Sequence, residues 1–480
     1  MRGLLIVRLW LAAGLCIFAM PASAQDRVLR AGAIAIDISP VELPVSINGG
    51  MTDRQATGIH DPLYARCLVL DDGTTTLALT ICDSCMIPRE LFDAAKREAA
   101  ARTGIPAANM LMSATHTHEA VTVAGVFQSE PEPKYAELLV ARIADAVELA
   151  WRQREPARIA WTVGIDGSQL FNRRWFTQPG QVNEDPFGGT TDVVRMNPGF
   201  AKEVLKEPAG PIDPQVGVIS VQSTAGRPIA VWANYSLHYV GDVPGTLLSG
   251  DYFGVFAERI ASRMSATSVE PAFVGMMSNA TSGNINNVDF ATGPRPPRAP
   301  LEQSSAVATS VADAVWRALQ GAAYHTWVPL DVRQTEIELG VRAPSVADVE
   351  RAKSLLAKAG PGQYTKLPEI YARETVLLAE YPATVPVVLQ ALRIGDVALV
   401  SSPCETFVET GLAIKEASPF LPTFVVELAN GYNGYLPTPE HHRLGGYETW
   451  RARSSYLAVD AEPMLREALL ALLEELAAAR

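Results

Sequence analysis

The sequence predicts an α/β protein, a mixed central β-sheet flanked by helices and folded as one large domain. Three observations lead there. Short β-branched runs alternate with Ala-rich stretches of helical periodicity along most of the chain. Hydrophobic residues make up 48% of the 480, enough for a substantial core and too many for a disordered or low-complexity chain. No internal repeat and no compositional break marks a linker between domains.

In order along the chain, residues 1–24 read as a secretory signal. Arg2 and Arg8 supply positive charge, Leu9 to Met20 an apolar core, and Ala22-Ser23-Ala24 a small-residue cleavage site before Gln25. Cys16 raises the idea of a lipoprotein, but Leu15 stands where a small residue is expected, so a soluble secreted or periplasmic protein is the expectation. The functional domain then runs over residues 25–480. No later apolar run reaches the roughly 18–20 residues that a membrane span needs. Loss of the signal takes Arg2 and Arg8 with it and deepens the formal charge from −12 to −14. An acidic chain without a basic run excludes nucleic acid as a partner, because that binding rests on phosphate neutralisation. The remaining cysteines, Cys67, Cys82, Cys85 and Cys404, are too few to staple such a chain. Packed thiols are the favoured reading, with a Cys82–Cys85 disulfide as the alternative.

Leu68–Leu70 and Thr76–Ile81 flank Asp71-Asp72-Gly73 as a hairpin. Arg89 to Thr103 is helical, Asn109–Ala114 a strand and Tyr135 to Gln153 a long amphipathic helix. Further strands are expected at Ala157–Val163, Val216–Val221, Pro228–Tyr235, Ala272–Met277, Val388–Ile394, Val397–Ser401 and Phe424–Leu428. Further helices are expected at Ser249 to Met264, Ser304 to Leu319 and Glu462 to Ala478. Phe176 to Pro211 and Phe290 to Leu301 read as long loops, and Val346 to Leu378 as a charged helical insertion on the surface.

Chemistry-bearing residues gather at the ends of these strands. Thr115-His116-Thr117-His118 follows Asn109–Ala114, and strand alternation puts both imidazoles on one side. His238 ends the run from Trp232, Glu405 follows Ser401-Ser-Pro-Cys, and Tyr435 closes the Gly-rich turn Ala429-Asn-Gly-Tyr432-Asn-Gly. Open α/β sheets form their sites beyond the carboxyl ends of strands, so four such deliveries point to one site. Two imidazoles and a carboxylate are a common catalytic zinc set. Residue chemistry alone leaves other readings open: His238 as a structural histidine, Glu405 at the start of the next helix facing its dipole, and Tyr435 as a buried phenol with a bonded hydroxyl. Of Arg173 and Arg174, either can reach the site while the other faces solvent. His60 reads as a local hydrogen-bonding residue, and the adjacent His441 and His442 as surface residues. Trp175 and Phe176 either line an apolar pocket or pin the long loop.

These segments, taken in order over residues 30–475, resemble the neutral/alkaline ceramidase family of zinc amidases. Gly49-Gly-Met-Thr-Asp-Arg-Gln-Ala-Thr-Gly-Ile-His60 is similar to the family's opening segment, and Thr115-His-Thr-His118 to its most characteristic motif. Asn172-Arg173, Ser249-Gly-Asp251, Thr281-Ser-Gly-Asn284 and Pro403-Cys-Glu405 resemble further family segments, and Tyr435 and Tyr447 a tyrosine pair twelve positions apart. The resemblance implies one zinc ion per chain on His116, His238, Glu405 and Tyr435. It implies His118 as a proton shuttle or hydrogen-bond donor, and Tyr447 and Arg173 as groups that polarise the carbonyl or hold the substrate. The implied substrate is the amide of an N-acyl lipid such as ceramide, or a related small molecule, which would bring the protein to membrane surfaces peripherally.

Two departures stand beside it. In Asn284-Ile-Asn286-Asn287, Asn286 replaces a serine associated with the family's ceramide site, and the family's C-terminal β-sandwich is not matched. A different amide, ester or lactone substrate is therefore the alternative within enzymes, and an inactive zinc- or carbohydrate-binding periplasmic protein the alternative outside them.

Overall fold

The computed structural model describes residues 27–479, so the expected signal over residues 1–24 lies outside the described residues. Eight strands form a mixed sheet: β1 (Arg30–Asp37), β2 (Tyr64–Asp71), β3 (Thr76–Cys82), β4 (Met110–Ala114), β5 (Glu155–Ile165), β6 (Gln215–Ser223), β7 (Pro228–Tyr235) and β8 (Val274–Asn279). Their order is β8-β7-β6-β5-β1-β2-β3-β4. The outermost pair at each edge is parallel, and all other neighbours are antiparallel. A second sheet of four strands, β9 (Leu330–Gly340), β10 (Thr384–Ile394), β11 (Val397–Ser401) and β12 (Thr423–Val426), is ordered β9-β10-β11-β12, with only β11–β12 parallel.

The sheets stack face to face, and helices cover their outer faces. In β2 the side chains alternate: Leu68 and Leu70 enter the layer between the sheets with Trp232, Leu399 and Phe424, while Cys67 and Val69 meet helix α2 (Pro133–Arg152) at Ile143 and Val147. Burial on both faces explains why these strands read as continuous apolar runs. Helix α1 (Arg89–Thr103) packs beside α2. Helices α3 (Asp251–Arg263) and α4 (Glu302–Leu319) cover the other half of the large sheet through Phe256, Ile260, Val311 and Val315. Helix α9 (Ala461–Ala478) lays Leu465, Leu469 and Leu472 on the outer face of the small sheet. The expected α/β architecture is what is found.

Two expectations change. The segment Phe176 to Pro211 is not a bare loop, since Arg174–Thr177 pairs with Val194–Met196 and with Leu205–Pro208 in a small antiparallel sheet. Trp175 pins this sheet to the second long loop through Leu205 and Phe290. The Val346 to Leu378 stretch is two helices, α5 (Val346–Ala359) and α6 (Leu367–Leu378), split at Gly360-Pro-Gly362. Only α5 is mainly superficial; α6 buries Ile370, Tyr371 and Glu374. Among the described residues, no helix is long and apolar enough to cross a membrane. Cys67, Cys82, Cys85 and Cys404 are free, buried thiols.

Lys96 is one of the few cations in the core. It faces inward from α1 and donates to Asn430 Oδ1 at 2.7 Å, and burial pulls its pKa from 10.5 to about 8. Between those two values the unfolded chain binds more protons than the folded one, so stability rises with pH across that window, by up to roughly 3 kcal/mol. Urea unfolding at pH 7.5 and 9.5 is expected to show this rise, and Lys96→Met to flatten it.

Candidate metal centre

His116 and His118 converge, but not by strand alternation. The strand β4 ends at Ala114, and His116 takes a left-handed backbone, φ 75°. That conformation is uncommon outside Gly and Asn, and it marks a residue held by its surroundings. His116 N–H donates to Ser84 O, and its Nδ1 meets Cys85 O at 2.7 Å. His238, three residues beyond β7, puts Nδ1 at 3.2 Å from Ser282 O. A carbonyl only accepts, so in each neutral ring the proton sits on Nδ1 and Nε2 presents a lone pair.

Those two Nε2 atoms lie 2.9 Å apart. Glu405 Oε2 stands 3.3 Å from one and 3.5 Å from the other, and it is a buried oxygen with no hydrogen-bond partner. Two lone pairs and a carboxylate oxygen converging this closely repel one another unless a positive charge lies among them. His116, His238 and Glu405 thus form a buried donor set for a metal ion. A second set, Cys85, His116 and His118, shares His116 with the first. Burial opposes charge on Glu405, yet His116, the Tyr435 hydroxyl and Arg173 hold its carboxyl below the usual range. Burial likewise opposes charge on His116, but Cys85 and Glu405 raise it well above the usual value, so without a cation a proton on His116 Nε2 supplies the positive charge this cluster calls for. His238 is held well below by burial, with Arg173, His116 and His118 adding to it.

Local pairing sets Glu405 beside Tyr435. Glu405–Thr406 and Tyr435–Leu436 are two-residue parallel strands in register, Glu405 opposite Tyr435. Helix α7 (Val408–Ala417) has Phe407 at its N-cap and no side-chain cap, so Glu405 is not a helix cap. Gly283 packs directly on this segment, where a Cβ would come within 2.4 Å of Glu405 O. Tyr435 hydroxyl accepts from Arg173 Nη2 at 3.1 Å, and its ring meets Tyr447 edge-on with centroids 5.7 Å apart.

His118 Nε2 lies 3.2 Å from His116 Nε2, and its ring stacks on Tyr239 at 3.6 Å. Burial, with His116, Arg54 and Arg173 nearby, keeps His118 well below the usual histidine value. Gly49, at φ 97°, presses on this ring; a Cβ there would sit 2.4 Å from His118 Cγ, so only glycine fits. The Ser249-Gly-Asp251 segment serves the same loop from below: Thr117 Oγ1 donates to Ser249 O at 2.8 Å, and Asp61 holds Ser249 Oγ and Gly250 N–H.

Neither arginine of the Arg173-Arg174 pair faces solvent. They are 4% and 0% exposed and share Glu448, with Arg173 Nε on Oε1 at 3.1 Å and Arg174 Nη1 on Oε2 at 2.6 Å. Arg174 also reaches His441, which is buried and bonded to Glu409, so the expectation of a surface His441 is corrected. Helix α8 (Pro439–Leu444) turns its ring inward while leaving His442 partly exposed. His60 bonds locally to Asp61 at 3.1 Å. Asn286 stays outside the cluster: its amide donates to Asn197 Oδ1 at 2.7 Å and its carbonyl accepts from Val288 N–H.

Three contributors escaped the sequence reading. Tyr432 hydroxyl donates to Glu405 Oε1 at 3.0 Å, Cys85 contributes its carbonyl, and Glu448 joins the arginines. Tyr432 was within view, in the same Gly-rich turn as Tyr435. His116, His118, Glu405, Tyr432, Tyr435 and Tyr447, with Gly49 and Phe127, line a space of about 20 Å³, room for one or two waters.

No protein-family model matches the chain. Among solved structures, it is similar to the neutral ceramidase from Pseudomonas aeruginosa, with a TM-score of 0.70 and 18% sequence identity over 94% of this chain and 75% of that one. It is equally similar to a ceramidase complexed with C2, with a TM-score of 0.70 and 17% identity over 95% of this chain and 76% of that one. The chain has the ceramidase fold.

Proposed function

We propose that this chain is an exported, zinc-dependent hydrolase that cleaves the amide of an N-acyl lipid such as ceramide with activated water, its catalytic unit spanning residues 25–480. The observation that carries the reading is Glu405 Oε2 facing the Nε2 atoms of His116 and His238 within 3.5 Å, three buried donors converging on one point. The shared fold supports the reaction class. One zinc on these three residues, with Tyr435 as the further ligand, would lower the pKa of a water to about 7 and polarise a carbonyl.

The chain's own residues supply the rest. His118, whose Nε2 faces the cluster, takes or returns the proton. Tyr447, on the wall of that space, holds the carbonyl oxygen as charge develops on it, a donor worth roughly 10²–10³ in rate. Arg173 keeps the Tyr435 phenol in place and adds positive charge beside it. Asn286 belongs to the outer part of the substrate, since its amide engages Asn197 rather than the cluster.

A smaller amide, ester or lactone is the second reading. It is favoured by Asn286, which stands where the family that the sequence resembles carries a serine associated with its ceramide site. A hydrolysis screen of the purified protein against ceramide, other N-acyl amides, esters and lactones separates the two. Turnover is expected to vanish with chelator and return with zinc, and Tyr447→Phe to lower kcat by roughly 10²–10³ with metal retained. A metal-loaded protein that turns over no member of the panel is instead a binding protein.

A further inference from the structure

The turn that carries Tyr447 is held from outside by a residue that the reading above leaves unused. Gly445 and Gly446 both have positive φ, 76° and 95°, and lead into the 3₁₀ turn Tyr447–Thr449. Asp192, two residues before the strand Val194–Met196 of the small antiparallel sheet, lies against this glycine pair. One oxygen of its carboxylate, Oδ2, accepts from Gly446 N–H at 2.9 Å and from Trp450 Nε1–H at 2.7 Å, so it bonds on both sides of Tyr447. A Cβ on Gly445 would collide with Asp192 Oδ1, so that glycine serves the close approach of Asp192 as well as the backbone angle. Asp192 is itself fixed by its neighbours: Val193 N–H donates to Leu444 O at 3.0 Å, and Asn183 Nδ2 donates to Asp192 O at 3.1 Å. The Tyr447 ring is bounded by Phe127, Tyr435 and Trp450, the last edge-on with centroids 6.1 Å apart. A shift of Gly446 or of the Trp450 indole therefore shifts the phenol.

We propose that Asp192 is a positioning residue, which holds the Tyr447 hydroxyl at the point where it meets the substrate's carbonyl oxygen. That role rests on the hydrolase reading above; the contact with Gly446 and Trp450 does not. A misplacement of about 1 Å caused far from the chemistry can cost on the order of 10²-fold in rate. The ceiling is what Tyr447 is worth as one donor, roughly 10²–10³.

Asp192→Ala is expected to lower kcat about 10–100-fold, with KM and metal content unchanged. Asp192→Asn should keep the wild-type kcat, because one amide oxygen can accept both bonds that Oδ2 accepts. In a Tyr447→Phe background Asp192→Ala should cost no more than about twofold, since no hydroxyl is left to place. The substrates are the members of the panel above, a short-acyl fluorescent ceramide first. A second readout needs no turnover: ¹⁹F spectra of protein labelled with 3-fluorotyrosine, with the Tyr447 signal identified by its loss in Tyr447→Phe. That signal is expected to move in Asp192→Ala and to stay in Asp192→Asn. An unchanged kcat or an unmoved signal in Asp192→Ala overturns the proposal. So does an equal loss of kcat in the Tyr447→Phe background, or an Asp192→Asn enzyme as slow as Asp192→Ala. If Asp192→Ala does not fold, Asp192→Ser, too short to reach both donors, takes its place. If wild type turns over no member of the panel, the hydrolase reading falls. A signal that moves in Asp192→Ala and not in Asp192→Asn then still supports the positioning, and an unmoved one overturns it.

Discussion

Alanine in place of His116 is expected to leave purified protein with less than about a tenth of the wild-type metal and no measurable hydrolysis. His116 is the hub of the cluster: its Nε2 lies 2.9 Å from His238, 3.2 Å from His118 and 3.3 Å from Glu405. Its loss therefore removes a ligand outright, a larger effect than the roughly 10–100-fold that an outer partner contributes. Because His116 is left-handed, φ 75°, a conformation histidine adopts several-fold more readily than most residues, alanine also strains the backbone by up to about 1 kcal/mol. His116→Asn separates the two effects, since asparagine tolerates that conformation. It should restore stability but not metal, as read by elemental analysis of folded, size-purified protein. Full metal content in both variants would contradict the assignment.

The second large effect concerns the arginines beside the centre. Glu448→Ala leaves Arg173 and Arg174 buried without their shared carboxylate, and removal of one partner from such a network costs about 3–5 kcal/mol. Urea unfolding is expected to show that loss. Activity should fall further than the folded fraction, because Arg173 also donates to the Tyr435 hydroxyl. A loss below about 1 kcal/mol would mean the guanidiniums find other partners, chiefly the carbonyls of Gly283 and Gly445 that they already reach.

What was legible in the sequence follows from these contacts. The strands β4, β7, β11 and β12 announce themselves because both their faces are buried, which leaves continuous apolar runs with a polar residue at the end. Strand β1 hides because its run is Ala- and Gly-rich, and β9 because it is an edge strand with Asp331, Arg333, Glu336 and Glu338 along it. The convergence of His116 and His118 was foreseen for the wrong reason, since a left-handed turn and not pleating brings them together. Glu448 was invisible because its partners lie far off in sequence, 275 residues in the case of Arg173. His441 misled because its apolar surroundings come from Phe407, on another element.

Anomalous diffraction at the zinc absorption edge, on crystals grown without added metal, tests the central claim most directly. The account predicts a single strong peak among His116 Nε2, His238 Nε2 and Glu405 Oε2, absent after His116→Asn. No peak there in fully folded protein, or a peak held by Cys85 and His118 without Glu405, would contradict it.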